Sequence, residues 1–533
     1  TTQPRSLLTR PLPHPQSTGS QGKPTPRSQV PGAMAAAVTT LPHLLRSEIA
    51  AGKKAVQKEA QARAAEPPVI ALFNVAMVGH VNPTLPIVKE LVERGCKVYY
   101  FLPPGEDARA AVRESGAAVE AYLAEDPQDL VLEQCGDFSD CLAPEDRYAV
   151  WGLASTLLTG EYVLKRCREL RVKLVAYDPM TPHGMLVARK LSVPGISLVT
   201  YPGAGCLVGL MRDEEKLARW AKIRRPIARQ ILDRFGVDLG SELSSRMQWF
   251  SEEENLVTTS EALVAPLPEP GSVPWADEVR ERFPWVSVGC TASEAAPHLT
   301  GPSKPGGAAA GTVGDSFPVE ELRDAAARGA RVVYVALGSM AVGVRWAEDL
   351  AGSSSGGLPE GTTGKAFCQH VWAMLFDTMR ELGDAYHCVL CVGRQADALD
   401  FLPGENDEQR LRHVPTNVTV RAAVQQVVML KSHADVFVTH AGFNSLQESL
   451  ITGVPLIALP QAIDQPDNAR KIEASGWGRG FLRPMGVGPS ELAAVVRELA
   501  AEDSSCRAAV AAAGADLCGG EVRAAERLLA WVQ

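Results

Sequence analysis

The stretch that follows the apolar run Val436 to Val438 has the residue types of an anion site. The run predicts a buried strand of a parallel sheet, and it ends at His440. Gly442 lets the backbone approach a ligand closely, and Asn444 with Ser445 begins a helix. The free N–H groups and positive dipole end of a helix start attract negative charge. These features predict a diphosphate site at the sheet edge where ligands of open α/β sheets bind.

A second strand and helix continue this unit. Gly453 to Pro455 leads into the apolar run Leu456 to Leu459, and Asp464 with Gln465 then opens another helix. Because ligands of open α/β sheets bind outside the carboxyl ends of the strands, these two side chains are expected at the same edge as the diphosphate.

The whole pattern resembles the donor-binding signature of family 1 glycosyltransferases, which use UDP-sugars and include plant secondary-metabolite and bacterial macrolide enzymes. The signature reads His-x-Gly-x-Asn-Ser, then Glu, then Gly-Val-Pro, then Asp-Gln. The residues that meet it are His440, Gly442, Asn444, Ser445, Glu448, Gly453, Val454, Pro455, Asp464 and Gln465. Without the resemblance, the same residues would be caps and turns of an ordinary α/β sheet, but a match of this length is rarely accidental.

The resemblance implies a role for each polar residue of the signature. His440, Asn444 and Ser445 would hold the diphosphate, and Glu448 would bind the ribose hydroxyls. The paired residues Asp464 and Gln465 would bind the hydroxyls of the transferred sugar.

The signature departs from the family at its start. The family usually begins with Trp-x-Pro-Gln, in which Trp stacks on the base, but this chain has Ala423 for Trp and Gln425 for Pro. Of this start only Gln426 remains, which would still reach the edge of the nucleotide base. Stacking contributes about 1–3 kcal/mol per base. The loss therefore either weakens UDP binding about tenfold or more or indicates another nucleotide.

A second candidate site lies near the other end of the chain. The apolar run Val69 to Met77 predicts a central strand, and His80 follows in the loop to a helix that Asn82 is expected to cap. The sequence GHVNPTLPIVKELVERG resembles the corresponding loop of macrolide-type family 1 enzymes, in which this histidine is the general base. Taken alone, a loop histidine is more often a surface or capping residue.

A general base needs a partner that fixes its tautomer and stabilises the imidazolium. Asp178 follows the predicted strand Lys173 to Tyr177, and the family places its base-orienting aspartate at the equivalent position. His183 is either a substrate contact or a plain helix residue. Weaker alternatives to Asp178 lie in a predicted loop: Asp126, Asp129, Asp137 and Asp140.

Composition restricts the class of protein. The chain has 533 residues, 46% hydrophobic and 22% charged, with a formal net charge of -9 and no basic run interleaved with aromatics. Nucleic acid is therefore not an expected partner. No apolar run of about 18 residues or more occurs, so we expect a soluble, cytoplasmic enzyme. The 11 cysteines form no disulfide-like framework, and no Asp-x-Asp motif occurs, so neither a metal site nor a cofactor is predicted.

Residues 1–67 are predicted to form a disordered or helical extension. The first 47 residues contain eight prolines and no Asp or Glu, a composition that cannot bury a core. An acid-free start with Arg and Ser resembles an organellar transit peptide. Met34 is an alternative initiator.

The predicted fold is α/β of the GT-B type, in which two Rossmann-like parallel-sheet domains face a cleft. We predict an acceptor-binding domain over 68–292, a linker rich in Ala, Gly, Pro and Ser over 293–317, and a nucleotide-sugar-binding domain over 318–533. After the apolar strand Arg331 to Leu337, the resemblance implies that Ser339 faces the donor phosphates, with a simple turn as the alternative.

The expected function is inverting, metal-independent transfer of a sugar from a UDP-sugar, with UDP-glucose the expected donor, to a hydroxyl of a small lipophilic acceptor. His80 would deprotonate the acceptor. Two other classes stay open: a nucleotide-sugar-binding protein without transfer activity, which Ala423 favours, and a two-Rossmann epimerase or hydrolase of nucleotide sugars.

Overall fold

The computed structural model describes residues 66–103, 106–122, 144–208, 214–239, 248–292, 313–314, 316–350 and 357–532. The predicted extension up to residue 65, most of the predicted linker and the four alternative aspartates lie outside these ranges. Within the described ranges, no helix combines the length and hydropathy needed to cross a bilayer.

The first half is built on a sheet of seven parallel strands with the order β3-β2-β1-β4-β5-β6-β7. The strands are β1 (Val69–Phe73), β2 (Lys97–Leu102), β3 (Ala118–Ala121), β4 (Leu174–Tyr177), β5 (Gly195–Val199), β6 (Glu254–Val257) and β7 (Trp285–Ser287). The helices are α1 (Val78–Val81), α2 (Thr84–Glu93), α3 (Glu106–Glu114), α4 (Pro144–Glu169), α5 (Pro182–Leu191), α6 (Glu214–Phe235) and α7 (Pro274–Arg282).

The second half is built on a sheet of six parallel strands with the order β10-β9-β8-β11-β12-β13. These are β8 (Arg331–Ala336), β9 (Tyr386–Cys391), β10 (Val418–Arg421), β11 (Val436–Thr439), β12 (Leu456–Ala458) and β13 (Gly478–Gly480). The helices are α8 (Val319–Ala327), α9 (Gly364–Leu382), α10 (Asp407–Leu411), α11 (Gln426–Ser432), α12 (Phe443–Thr452), α13 (Gln465–Ala474), α14 (Pro489–Ala500), α15 (Ser505–Leu517) and α16 (Gly520–Ala530).

Each sheet reverses its strand order at one place. The reversal lies between β1 and β4 in the first sheet and between β8 and β11 in the second. The chain leaves two such strands toward opposite sides, which opens a crevice at their carboxyl ends. The register pairs Phe73 with Tyr177 in the first sheet and Ala336 with Thr439 in the second. Residues that follow these four positions are therefore brought to two crevices.

The last helix, α16, returns to the first half. Ala524, Ala525 and Leu528 are fully buried in the core around β1 and β2. Where the chain crosses between halves, the N–H of Cys290 donates to the carbonyl of Leu517 over 2.8 Å, and the N–H of Gly520 donates to the carbonyl of Cys290 over 3.1 Å. Chain order alone does not reveal this packing.

Helix α5 lies unusually close to β4, the strand that leads to Asp178. A Cβ built on Gly184 of α5 would lie 2.3 Å from the Cβ of Tyr177, a separation that real Cβ atoms essentially never show. Glycine is thus required for this helix to pack on the sheet.

We predict that Gly184→Ala lowers the free energy of unfolding by about 1–3 kcal/mol, because the new methyl group forces the helix away from the strand. Urea denaturation of the purified protein measures the change. Gly486→Ala is the matched control, because a Cβ at Gly486 meets no atom within 4 Å. Equal stability of the two variants would contradict the packing argument.

Candidate active site

His80 and Asp178 form a hydrogen-bonded pair at the crevice of the first sheet. His80 lies in α1, the first helix after β1, and Asp178 is the first residue after β4. The Nδ1 atom of His80 is 2.7 Å from Oδ2 of Asp178, and the two side chains are 17% and 1% exposed. The N–H of Met180 donates to the other carboxylate oxygen over 2.8 Å. The aspartate is therefore fixed, while the imidazole keeps an accessible edge.

Pairing with Asp178 sets both the pKa and the tautomer of the His80 imidazole. Burial lowers the pKa of His80, but the charge of Asp178 and the hydrogen bond to it raise the pKa, with a net result above the ordinary value of 6.5. A carboxylate at Nδ1 favours the tautomer with its proton on that nitrogen. The Nε2 lone pair is then free to accept a proton from a substrate hydroxyl.

A buried polar network, which sequence reasoning missed, holds the turn that carries His80. The side-chain N–H groups of Asn74 donate to the carbonyl of His80 over 2.9 Å and to the hydroxyl of Tyr100 over 2.8 Å. That hydroxyl is 2.6 Å from Oγ1 of Thr84, which in turn donates to the carbonyl of Val81. The one available signal was a polar residue, Asn74, within an otherwise apolar run.

The turn differs from the predicted loop, and the predicted cap is wrong. His80 belongs to the one-turn helix α1, and Asn82 follows it with helical backbone angles, φ -51° and ψ -47°. The N-cap of α2 is Pro83 and no side chain caps it, so Asn82 does not have the predicted role. The next helix begins at Thr84, after Pro83.

Two further polar residues lie near the pair. Oγ1 of Thr200, which follows β5, is 3.3 Å from Nδ1 of His80 and shares that nitrogen with Asp178. His183 is fully buried, and its ring nitrogens bond the hydroxyls of Thr156 and Thr159. Burial lowers the pKa of His183 to about 4, so this imidazole is neutral. Its contacts are those of a core residue.

His440 lies at the crevice of the second sheet, directly after β11. Its ring is packed against Gly338 and Gly442. A Cβ built on Gly338 would lie 2.3 Å from Nε2 of His440, and a Cβ built on Gly442 would lie 2.2 Å from the same atom, so neither position has room for a side chain. Burial lowers the pKa of His440 to about 4, although a hydrogen bond to the backbone of Ala336 acts in the opposite direction. The imidazole is therefore neutral at pH 7 and meets a ligand as a hydrogen-bonding group. Ser339 follows the neighbouring strand β8 and is half-buried.

A polar cluster joins the first residue of α11 to the first two turns of α12. The side-chain N–H groups of Gln426 donate to Oε2 of Glu448 over 2.6 Å and to Oγ of Ser445 over 3.1 Å. The structure thus brings three of the predicted donor residues together. Helix α12 begins at Phe443 with Gly442 as its N-cap and no side-chain cap, so its positive dipole end lies at the crevice. The backbone of Phe443 hydrogen-bonds the carboxylate of Asp464.

Asp464 and Gln465 occupy the start of α13, as predicted. The carboxylate of Asp464 accepts from the side chain of Asn468 over 2.8 Å. Burial raises the pKa of Asp464 to about 6, and the hydrogen bonds to it act against this rise. Oε1 of Gln465 accepts from the N–H of Gln461 over 2.8 Å, so this side chain also braces the turn before the helix.

The two crevices face each other. The side chain of Asn444 donates to the carbonyl of Gly79 over 2.8 Å, directly beside His80. The predicted donor residues and the predicted general base, His80, thus line one cleft.

Ala423 leaves no stacking surface. It lies just after β10 and is 7% exposed, so its methyl group is part of the packed interior. Among the described residues, no three His, Cys, Asp or Glu side chains are grouped as metal ligands would be.

Comparisons with known proteins agree with this arrangement. The family described as erythromycin biosynthesis protein CIII-like, C-terminal domain, matches residues 400–519. Oleandomycin glycosyltransferase of Streptomyces antibioticus is 26% identical over 435 residues, 78% of this chain and 79% of that enzyme. NDP-glycosyltransferase YjiC of Bacillus licheniformis is 25% identical over 429 residues, 78% of this chain and 85% of that enzyme. The crystal structure of the kitacinnamycin glycotransferase is 25% identical with a TM-score of 0.54, covering 87% of this chain and 99% of that one.

The paired parallel sheets and these likenesses define a protein of the GT-B fold, which confirms the predicted fold class. These comparisons support the predicted resemblance to family 1 glycosyltransferases, and the chain is a glycosyltransferase enzyme.

The pKa of His80 gives a pH prediction. A general base must be neutral, so with His80 in its predicted role the rate should fall as the pH drops through the raised pKa of His80. In Asp178→Asn the charge that raises this pKa is gone while burial still lowers it, so the acid limb should move to lower pH. The plateau rate should also fall, by about 10²–10⁴-fold, as the imidazolium loses its stabilising charge. A pH–rate profile measures both, and an unmoved acid limb would contradict the pairing.

Proposed function

We propose that this enzyme transfers a sugar from a UDP-sugar, with UDP-glucose the expected donor, to a hydroxyl of a small lipophilic acceptor, with inversion and without a metal ion. The observation that carries the proposal is the 2.7 Å pair of His80 and Asp178 in a cleft whose other wall holds the donor signature. The names of the relatives also support it, since one acts on oleandomycin and the other is described by its NDP donor.

The reaction begins at His80. Its Nε2 takes the proton of the acceptor hydroxyl while the oxygen attacks the anomeric carbon of the donor. The bond from that carbon to the diphosphate oxygen breaks on the opposite side, so the configuration inverts and no covalent intermediate forms. Asp178 stabilises the imidazolium and holds the tautomer that exposes Nε2.

The leaving diphosphate gains negative charge, which the donor wall is built to receive. The first N–H groups of α12 and its positive dipole end lie at the crevice. Asn444, Ser445, Ser339 and the neutral His440 supply hydrogen bonds to the phosphate oxygens. None of these contacts requires a metal ion.

The remaining donor residues hold the ribose and the sugar. Glu448, bonded to Gln426, accepts from the ribose hydroxyls. Asp464 is ionised above its pKa of about 6 and then accepts hydrogen bonds from sugar hydroxyls, with Gln465 beside it. Ala423 gives no stacking face, so the nucleotide base is held mainly by its edge near Gln426. The identity of the nucleotide must therefore be tested directly.

The test is an assay of the purified protein with UDP-glucose and a set of phenolic acceptors. The proposal predicts that UDP is released when an acceptor is present and that release continues in excess EDTA. Release without acceptor would identify a hydrolase. An altered sugar with no UDP release would identify an epimerase. Parallel assays with TDP-, GDP- and ADP-glucose show which base the site accepts.

We predict that His80→Ala lowers turnover by about 10²–10⁴-fold, because the acceptor hydroxyl loses its general base. The affinity for UDP, measured by calorimetry, should stay within about twofold of wild type, because UDP binds the other wall. His413→Ala is the matched control, since His413 is an exposed histidine of the second half. A His80→Ala enzyme with most of its activity would overturn the assignment.

A further inference from the structure

The base-bearing turn is held by two amide side chains, one from each half. Asn74, in the first half, donates to the carbonyl of His80 over 2.9 Å. Asn444, in the second half, donates to the carbonyl of Gly79 over 2.8 Å. These are the carbonyls on either side of the backbone of His80. The orientation of this residue therefore depends on a contact that spans the cleft.

Asn444 also lies where the donor is expected. It is the second residue of α12, and its neighbour Ser445 belongs to the cluster with Gln426 and Glu448. A primary amide has two N–H donors and an acceptor oxygen. With one N–H engaged by Gly79, the other N–H and the oxygen are left for a ligand at the helix start.

The junction beside this hydrogen bond is not filled by packed side chains. A cavity there is lined by Asn82 and Pro83 from the first half and by Asn444, Gln447 and Glu448 from α12. Oε1 of Gln447 is buried and has no hydrogen-bond partner among the described residues.

We infer that Asn444 is a positioning residue that couples the donor site to the general base. A nucleotide diphosphate bound at the start of α12 restricts the motion of Asn444. Because Asn444 donates to the carbonyl of Gly79, the backbone of the neighbouring His80 is then held in place as well. The coupling rests on the proposed function, because it needs a diphosphate bound at the start of α12. The contact between Asn444 and Gly79 is independent of that function, because it is observed in the structure. Reciprocity requires that displacement of the Gly79 carbonyl, which His80→Ala leaves in place, also affects nucleotide affinity.

The experiment follows the imidazole of His80 by NMR in the full chain labelled at histidine Cε1. The chain has 10 histidines, and His80→Ala identifies the relevant signal. Asn444→Ala removes the bond to Gly79. Asn444→Asp keeps the shape but has no N–H to donate. Ser445→Ala is the matched control, since it alters the same helix start without touching Gly79.

Without any ligand, both Asn444 variants should shift or broaden the His80 signal, and Ser445→Ala should leave it in place. Addition of UDP should move the signal in wild type and move it by less than about half as much in Asn444→Ala. With both substrates saturating, Asn444→Ala should lower kcat by about tenfold or more through misplacement of the base.

An unchanged His80 signal in both Asn444 variants would overturn the inference, even if the enzyme transfers sugar. A shifted signal in a protein that does not transfer from UDP-glucose would instead refute the proposed function and leave the positioning contact standing. A drop in UDP affinity with an unmoved His80 signal would assign Asn444 to donor binding alone and would also overturn the inference.

Discussion

The adjacency of β1 and β4 is the constraint on which the active site depends. Neighbouring parallel strands lie about 4.8 Å apart, and the pairing of Phe73 with Tyr177 brings their carboxyl ends level. His80 and Asp178, which are 98 residues apart in sequence, meet there at 2.7 Å. The strand order reverses at this place, so no crossover helix covers the pair, and a substrate can reach Nε2.

The second sheet has the same reversal of strand order, at the proposed donor site. Its order reverses between β8 and β11, which brings Ser339 and His440 to one crevice beside the start of α12. Burial keeps His440 neutral, so the negative charge of the proposed diphosphate would be met by N–H groups and the helix dipole. The proposed inverting displacement requires a neutral general base paired with a carboxylate on one wall and a dipolar anion site on the other.

The sequence predicts the parts of this enzyme that depend on local patterns. Apolar runs locate β1, β4, β8 and β11. The residues that follow these strands lie at the candidate site, because the carboxyl ends of neighbouring parallel strands lie at the same edge of a sheet. Contacts between distant segments leave no such pattern. Asn74, Tyr100 and Thr84 form one network only through the packing of β1, β2 and α2, and Asn444 reaches Gly79 across 365 residues. The short helix α1 was missed because one turn has no detectable periodicity, and the return of α16 to the first half was missed because chain order does not fix packing.

The anomeric configuration of the product tests the central claim most directly, because a single displacement driven by His80 can form only one anomer. The product made from UDP-α-glucose and a phenolic acceptor can be isolated and its anomeric proton coupling measured by NMR. We predict the β-glucoside, the inverted product. An α-glucoside would show retention of configuration and would contradict a mechanism in which the acceptor, deprotonated by His80, attacks the donor in line.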